Sequence, residues 1–277
     1  GHSWETIKQT GAVSVGQRPD DIFAFFRNRI VFPYWKQGRV VYMIGRKTPW
    51  TPDSEYEKSK YKKLLRKSAK RPHIAPCVSN GVFYNEDCLA TETERVVITE
   101  GVTDCIALME RGVPCISPVT VCLREQDHAR LLDLVKGVDR VYICQDNEIS
   151  GAGLAGALKT ARFLTCNKVE VRIVELPLCE KQTAARQALE GFGIRPGMEA
   201  KALDAARKAV ADEDKEKVDA LLADIKIDLN EYLLNSSADD FRALMDQAPR
   251  LLEWQIGRLD PDPGATVDRT EALRPIL

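Results

Sequence analysis

Two short acidic segments hold the residues best suited to chemistry, Ile98-Thr99-Glu100-Gly101-Val102-Thr103-Asp104 and Ile143-Cys144-Gln145-Asp146-Asn147-Glu148. Each ends an apolar run that reads as a buried strand, Val96 to Thr99 in one case and Arg140 to Cys144 in the other. If the two strands lie parallel in one sheet, their carboxyl ends bring Glu100, Asp104, Asp146 and Glu148 to a single edge. Asp146 and Glu148 are two residues apart, so in extended backbone they point the same way. Carboxylates packed together repel, and each raises its neighbour's pKa unless a cation neutralises them. Hard oxygen donors without His or Cys suit Mg²⁺ or Mn²⁺, and such a site supports phosphoryl or nucleotidyl transfer. A lone acidic residue at a strand end is usually only solvated; two clusters in register on one edge are a stronger signal. Ser150-Gly151-Ala152-Gly153 then opens a helix whose free amides could receive a phosphate, although the same glycines also serve a plain tight turn.

The elements that must position these residues are legible from residue 95 onward. The expected order is strand Val96 to Thr99, helix Asp104 to Arg111, strand Pro114 to Val119 and helix Gln126 to Lys136. Strand Arg140 to Cys144, helix Leu154 to Leu164 and strand Val169 to Leu176 complete it. Such alternation with near-continuous apolar strands predicts an α/β fold, a parallel sheet covered on both faces. Function in these sheets gathers beyond the carboxyl ends of the strands. Residues 180 to 224 are rich in Ala, Lys and Glu and read as an inserted helical hairpin. Ala238 to Leu252 reads as one more amphipathic helix.

The first third of the chain has a different grammar. Arg29 to Trp35 and Arg39 to Arg46 form a predicted hairpin turning at Gly38, with a further strand-like piece around Gly81 to Tyr84. The 277 residues carry 40 Lys and Arg against 41 Asp and Glu, yet residues 27 to 72 hold 14 basic and only 3 acidic side chains. A concentration of cations of this kind supplies sequence-independent attraction for nucleic-acid phosphates. Tyr34, Trp35, Trp50 and Tyr61 lie among them and are candidates to stack on bases, or else to fill a small core.

Other classes are excluded or disfavoured. With 44% hydrophobic and 29% charged residues the chain is ordinarily globular, neither disordered nor a stapled miniature scaffold. No apolar stretch is long enough to span a membrane, and a cytoplasmic protein is expected. The eight cysteines include no Cys-x-x-Cys pair, which argues against a zinc knuckle and for reduced core thiols. His73 and His128 have no partners at ligand spacing and read as incidental. Gly1-His2-Ser3, without an initiator Met, has the look of an expression remnant, so a longer natural chain is expected.

Glu100-Gly101-x-x-Asp104 after one hydrophobic strand and Asp146-x-Glu148-x-x-Gly151 after another resemble the two signatures of the Toprim domain. That domain is shared by DnaG-type primases, type IA and type II topoisomerases and OLD-family nucleases. The second signature is normally Asp-x-Asp; Glu148 keeps the carboxylate and lengthens its reach, which should favour the more lenient Mn²⁺. Phe26-Arg27-Asn28-Arg29-Ile30-Val31-Phe32-Pro33, Gly45-Arg46 and Lys60-Tyr61 resemble the start of the DnaG-type RNA polymerase domain. Lys226-Ile227-Asp228-Leu229-Asn230 resembles its Lys-Asp-Pro-Asp element, with Asn230 at the second acidic place.

The resemblance implies a Toprim parallel four-strand sheet with flanking helices, preceded by a mixed α+β basic subdomain and followed by a helical tail. The expected divisions are residues 1–94 basic subdomain, 95–179 Toprim domain, 180–224 helical insertion, and 225–277 end of the Toprim region and start of a helical subdomain. It implies a DNA primase core, a nucleotidyltransferase making short RNA primers on single-stranded DNA from nucleoside triphosphates. Two Mg²⁺ or Mn²⁺ ions would be held by Asp146, Glu148 and Asp104 or Asp228. Glu100 would be a third ligand or the proton acceptor. Arg29, Arg46, Lys60, Tyr61, Lys62 and Lys63 would contact nucleic-acid or nucleotide phosphate. The setting implied is the replication fork or nucleoid, with a replicative helicase as a further partner through regions outside this chain. A Toprim nuclease or a catalytically silent nucleic-acid-binding module would need most of the same residues.

Overall fold

The computed structural model describes residues 1–257 except 17–20, 92, 120–122, 145, 147–151, 196–197, 199 and 226. Its backbone divides into two compact units, residues 1–90 with 117–119, and residues 91–116 with 120 onward.

In the first unit a short helix α1 (Trp4–Gln9) and the pair β1 (Val13–Val15) and β2 (Ile22–Ala24) precede a three-stranded antiparallel sheet. That sheet has the order β3 (Arg29–Lys36), β4 (Arg39–Lys47), β5 (Tyr61–Lys63). The expected hairpin is present, and its two-residue turn has positive φ at both Gln37 (52°) and Gly38 (71°), the mirror-image geometry that matches strand twist. Asp87 fixes this turn by accepting the amides of Gln37 and Gly38 at 2.8 and 3.2 Å. Phe32, Tyr34, Tyr42 and Ile44 occupy alternate positions on the inner face and are buried. Tyr34 is fully buried, edge-on to Tyr42 and Tyr84, so it is a core residue and not a base-stacking platform.

The second unit contains a parallel sheet in the order β7 (Cys115–Ile116), β6 (Arg95–Thr99), β8 (Arg140–Cys144), β9 (Val171–Val174). Helices α2 (Val102–Met109), α3 (Glu125–Val135) and α4 (Ala152–Cys166) connect these strands. Val96, Val97, Ile98, Val141, Tyr142 and Ile143 are all buried, as a sheet covered on both faces requires. The chain leaves β6 toward β7 and returns past it to β8, so strand order reverses between β6 and β8. Right-handed crossovers then place α2 and α3 on opposite faces, and the crevice at this switch point opens at the carboxyl ends of those two strands.

Three details depart from the sequence reading. The strand expected over Pro114 to Val119 is only two residues long, because Ser117 instead exchanges backbone hydrogen bonds with Tyr84. The inserted hairpin is three helices, α5 (Glu180–Glu190), α6 (Ala200–Ala209) and α7 (Lys215–Asp224), around a core of their own that includes Leu189, Ile194 and Val218. Beyond α8 (Leu229–Leu234), the single tail helix is two, α9 (Ala238–Gln247) and α10 (Leu251–Gly257). Pro249 separates them, holding Ala248 in extended backbone (ψ 125°). Of the cysteines among the described residues, Cys77, Cys166 and Cys179 are exposed and only Cys105, Cys115 and Cys144 are buried, so a set of core thiols is only part of the picture. No helix of the described residues is long and apolar enough to cross a membrane.

Candidate functional site

In the second unit, β6 ends at Thr99 directly beside Cys144 of β8, so Glu100 and Asp146 emerge together at the switch point. The Asp146 backbone N–H donates to Glu100 Oε2 at 3.4 Å, joining segments 46 residues apart. Gly101 then caps α2, and Asp104, at the third helical position, accepts the Gly101 amide through Oδ2 at 3.1 Å. A Cβ at Gly101 would stand 2.9 Å from that oxygen, which accounts for glycine in Glu-Gly-x-x-Asp. Asp228 arrives from the other end of the domain as the cap of α8, accepting the Glu231 amide at 2.8 Å.

Asp104 shows that these carboxylates form one electrostatic cluster. Its pKa is pushed up to about 7, first by burial and then by the charges of Asp146 and Asp228, against the backbone N–H groups of Asn230 and Gly101, which lower it. Cys144, fully buried beneath the same edge, is pushed well above the ordinary thiol value by burial and by Asp104, Asp146 and Glu100, so it stays a neutral thiol. Negative charge concentrated on hard oxygens fits a divalent cation. Among the described residues, no three His, Cys, Asp or Glu side chains are already arranged to enclose one. Glu148, Gly151 and the turn that opens α4 lie outside the described residues.

The first unit sorts the predicted phosphate contacts by strand parity. Ile30, Arg46 and Tyr61 are cross-strand neighbours, and so are Phe32, Ile44 and Lys63. Arg46, Tyr61 and Lys63 therefore lie on the inner face that carries Phe32 and Ile44, at its margin, where Lys63 is exposed and Arg46 and Tyr61 are half-buried, with Lys60 Nζ 5.9 Å from the Tyr61 ring centroid. Arg29 and Lys62 lie on the opposite face. The Arg29 side chain is fully buried: Nε donates to Glu57 Oε2 at 2.7 Å, Nη1 to the Gly45 and Ser59 carbonyls, and Nη2 to the Glu57 carbonyl. Lys62 donates to the other Glu57 oxygen at 2.5 Å and sits over the Phe25 ring at 4.4 Å. Arg29 is thus a correction to the sequence reading, because a saturated, buried guanidinium cannot bind a solvent phosphate. Lys62 is largely committed in the same way.

Sequence reasoning missed Glu57, one of the 3 acids in the basic segment. Burial raises its pKa, but hydrogen bonds and charge from Lys62 and Arg29 outweigh that and hold it below the ordinary carboxylate value. Gly45 has a packing role besides its place in the motif: a Cβ there would lie 2.5 Å from the Phe26 ring and 3.2 Å from Arg29 Cδ. Strand parity gives no warning that Arg29 is buried, since it puts Arg29 in phase with the exposed Val31; the burial comes from the Glu57 to Ser59 segment closing over the guanidinium. Trp35 and Trp50 are exposed, at 47% and 78%. His128 is buried and bonded to Thr160, consistent with a packing role.

No protein-family model matches the chain, and no curated protein matches it in sequence. Solved structures do match. The Aquifex aeolicus primase, comprising zinc-binding and RNA polymerase domains, superposes with a TM-score of 0.61 at 18% identity, covering 96% of this chain and 50% of that one. A DnaG primase catalytic domain bound to single-stranded DNA matches with a TM-score of 0.58 at 17% identity, covering 93% and 62%. The chain therefore spans about half to three fifths of the length of these two structures. At such identities the likeness is one of architecture, and this chain has the fold of the DnaG-type primase catalytic core.

Proposed function

We propose that the chain is the catalytic core of a DNA primase, which joins ribonucleotides into short RNA primers on a single-stranded DNA template. The observation that carries this reading is the meeting of Glu100, Asp104, Asp146 and Asp228 at the switch point, where burial first and then the charges of Asp146 and Asp228 lift Asp104 to about 7. In the reaction a 3′-hydroxyl attacks the α-phosphate of a nucleoside triphosphate, the new phosphodiester forms, and pyrophosphate leaves.

Asp146 is the residue expected to hold a divalent cation, together with Glu148, two positions later in the sequence, and Asp228 or Asp104. A bound Mg²⁺ or Mn²⁺ would lower the pKa of the attacking hydroxyl and neutralise the leaving charge. Glu100, fixed by the Asp146 amide, serves as a further ligand or receives the hydroxyl proton. Asp104 is buried and bonded to backbone, so its first task is to hold α2 and α8 at the right spacing beneath the edge. Arg46, Lys60, Tyr61 and Lys63, at the accessible margin beside Phe32 and Ile44, are the group proposed to track phosphates.

A single incubation tests the proposal: single-stranded DNA, four ribonucleotides, and Mg²⁺ or Mn²⁺, with products sized on a gel. Template-dependent primers that vanish in Asp146→Asn are expected. Degraded template would point to a nuclease using the same carboxylates, and bound but unchanged DNA to a silent binding module.

A further inference from the structure

We propose that the α3/α4 face of the second unit carries a nucleotide-binding site separate from the carboxylate edge. Lys159, Arg162 and Phe163 of α4 and His128 and Ala129 of α3 line a depression of about 550 Å³ there, within the size range of small-ligand sites. A strand and the crossover helix that follows it run in opposite directions. Lys159 lies seven residues into α4, so it stands about 10 Å down the helix from the end that adjoins Asp146. The depression consequently belongs to the flank of the helical layer.

Its floor is rigid. His128 is buried, stacks on the Phe163 ring at 4.8 Å with 26° between planes, and has Nε2 3.2 Å from Thr160 Oγ1. The Thr160 hydroxyl donates to the Gly156 carbonyl, so the histidine Nε2 must be the donor of that pair. The pair thereby fixes the ring against which Phe163 rests.

Its rim is cationic in the part of the chain that is otherwise acidic. Lys159 and Arg162 occupy i and i+3 positions on one helix face, where like charges disfavour each other, and neither has a carboxylate partner among the described residues. Arg162 Nε is shielded from solvent yet has no hydrogen-bond acceptor. A buried donor left unpaired is costly, and a ligand oxygen would satisfy it. Two unpaired cations beside a half-buried aromatic wall suit a ligand that combines phosphates with a flat ring, which is the chemistry of a nucleotide. The proposal is independent of the primase reading.

Calorimetric titration of the intact chain with ATP in EDTA is the test, because without a divalent cation the carboxylate edge repels the phosphates. One saturable site is expected. Lys159→Ala and Arg162→Ala should each weaken it about tenfold. Phe163→Leu, which keeps apolar volume, should weaken ATP and leave inorganic pyrophosphate unaffected. Asp146→Asn should leave both unchanged. No ATP binding, binding indifferent to Lys159 and Arg162, or preference for an oligonucleotide over ATP would each overturn the proposal. If the parent chain makes no primers yet binds ATP as described, the primase reading fails and this one stands.

Discussion

In the second unit Asp104 is buried beside Asp146 and Asp228, and their charges add to the burial that drives its pKa up. In the first unit Arg29 and Lys62, equally like in charge, share the two oxygens of a buried carboxylate, Glu57. The contrast separates two uses of charge. A compensated, saturated group holds the fold together, whereas a strained cluster at a sheet edge is prepared for a counter-ion. Counting charges along the sequence cannot tell these apart, because Glu57 and Arg29 are 28 residues distant and meet only through the sheet.

The largest effect expected from disturbing this contrast is on chemistry. Asp146→Asn should lower nucleotide incorporation by about 10³-fold or more, equivalent to roughly 4 kcal/mol of transition-state stabilisation. Its thermal midpoint should stay near the parent value, since Asp146 donates its backbone amide to Glu100 whatever its side chain. Retained synthesis would remove Asp146 from the site.

On the compensated side the loss should be of stability. Arg29→Ala leaves Glu57 buried and half-paired and should cost about 3–5 kcal/mol, measured by urea denaturation. Arg29→Met with Glu57→Leu removes both charges and should recover much of that cost. A single variant as stable as the parent would mean that the pair is not what holds β5 against β4.

Asp104 offers a measurement on the strained side. Its folded pKa, about 7, lies above the ordinary 3.8, so between those values the folded state retains a proton that the unfolded state releases. Stability must therefore fall as pH rises from about 4 to about 7 and level off above. Asp104→Asn should abolish this slope in EDTA and stabilise the protein at pH 8 by about 2–4 kcal/mol, with no gain at pH 4. Added Mg²⁺ should raise the parent's midpoint at pH 8 more than the variant's. A parent curve that is flat with pH would show the carboxylates to be farther apart, electrostatically, than proposed.

How much of this was legible in the sequence depended on whether one strand or several decided the outcome. The continuous apolar run Arg140 to Cys144 gave β8 its observed bounds, and the helix expected over Asp104 to Arg111 is present but starts two residues earlier, at Val102 behind the Gly101 cap. Strand order was not legible, since it is fixed by right-handed crossovers and packing on both faces. The tail helix was overextended although Ala248-Pro249 announces a break. There the broken backbone serves the sheet edge: the Ala248 and Pro249 carbonyls accept from Arg172 Nη1 and the Ile173 amide. The basic segment misled because alternation sends neighbouring cations to opposite faces, so Lys62 and Lys63 part company despite being adjacent.

That divergence supports the smallest and most discriminating prediction. If Arg46, Lys60 and Lys63 contact single-stranded DNA phosphates, replacing each by Gln should weaken binding alike for all sequences. Each should also reduce the slope of log affinity against log salt by about 0.7, the counterion release of one contact. Lys62→Gln removes the same unit charge from the same three-residue strand, but from the face where Glu57 already neutralises it. Its slope should stay at the parent value, and the loss should appear in the thermal midpoint. General screening of a distant surface charge would treat adjacent Lys62 and Lys63 nearly equally. Fluorescence-anisotropy titrations at several salt concentrations decide the matter: equal slopes for Lys62→Gln and Lys63→Gln would mean that the two faces are not distinguished by nucleic acid, and the sorting of cations by strand parity would have no part in binding.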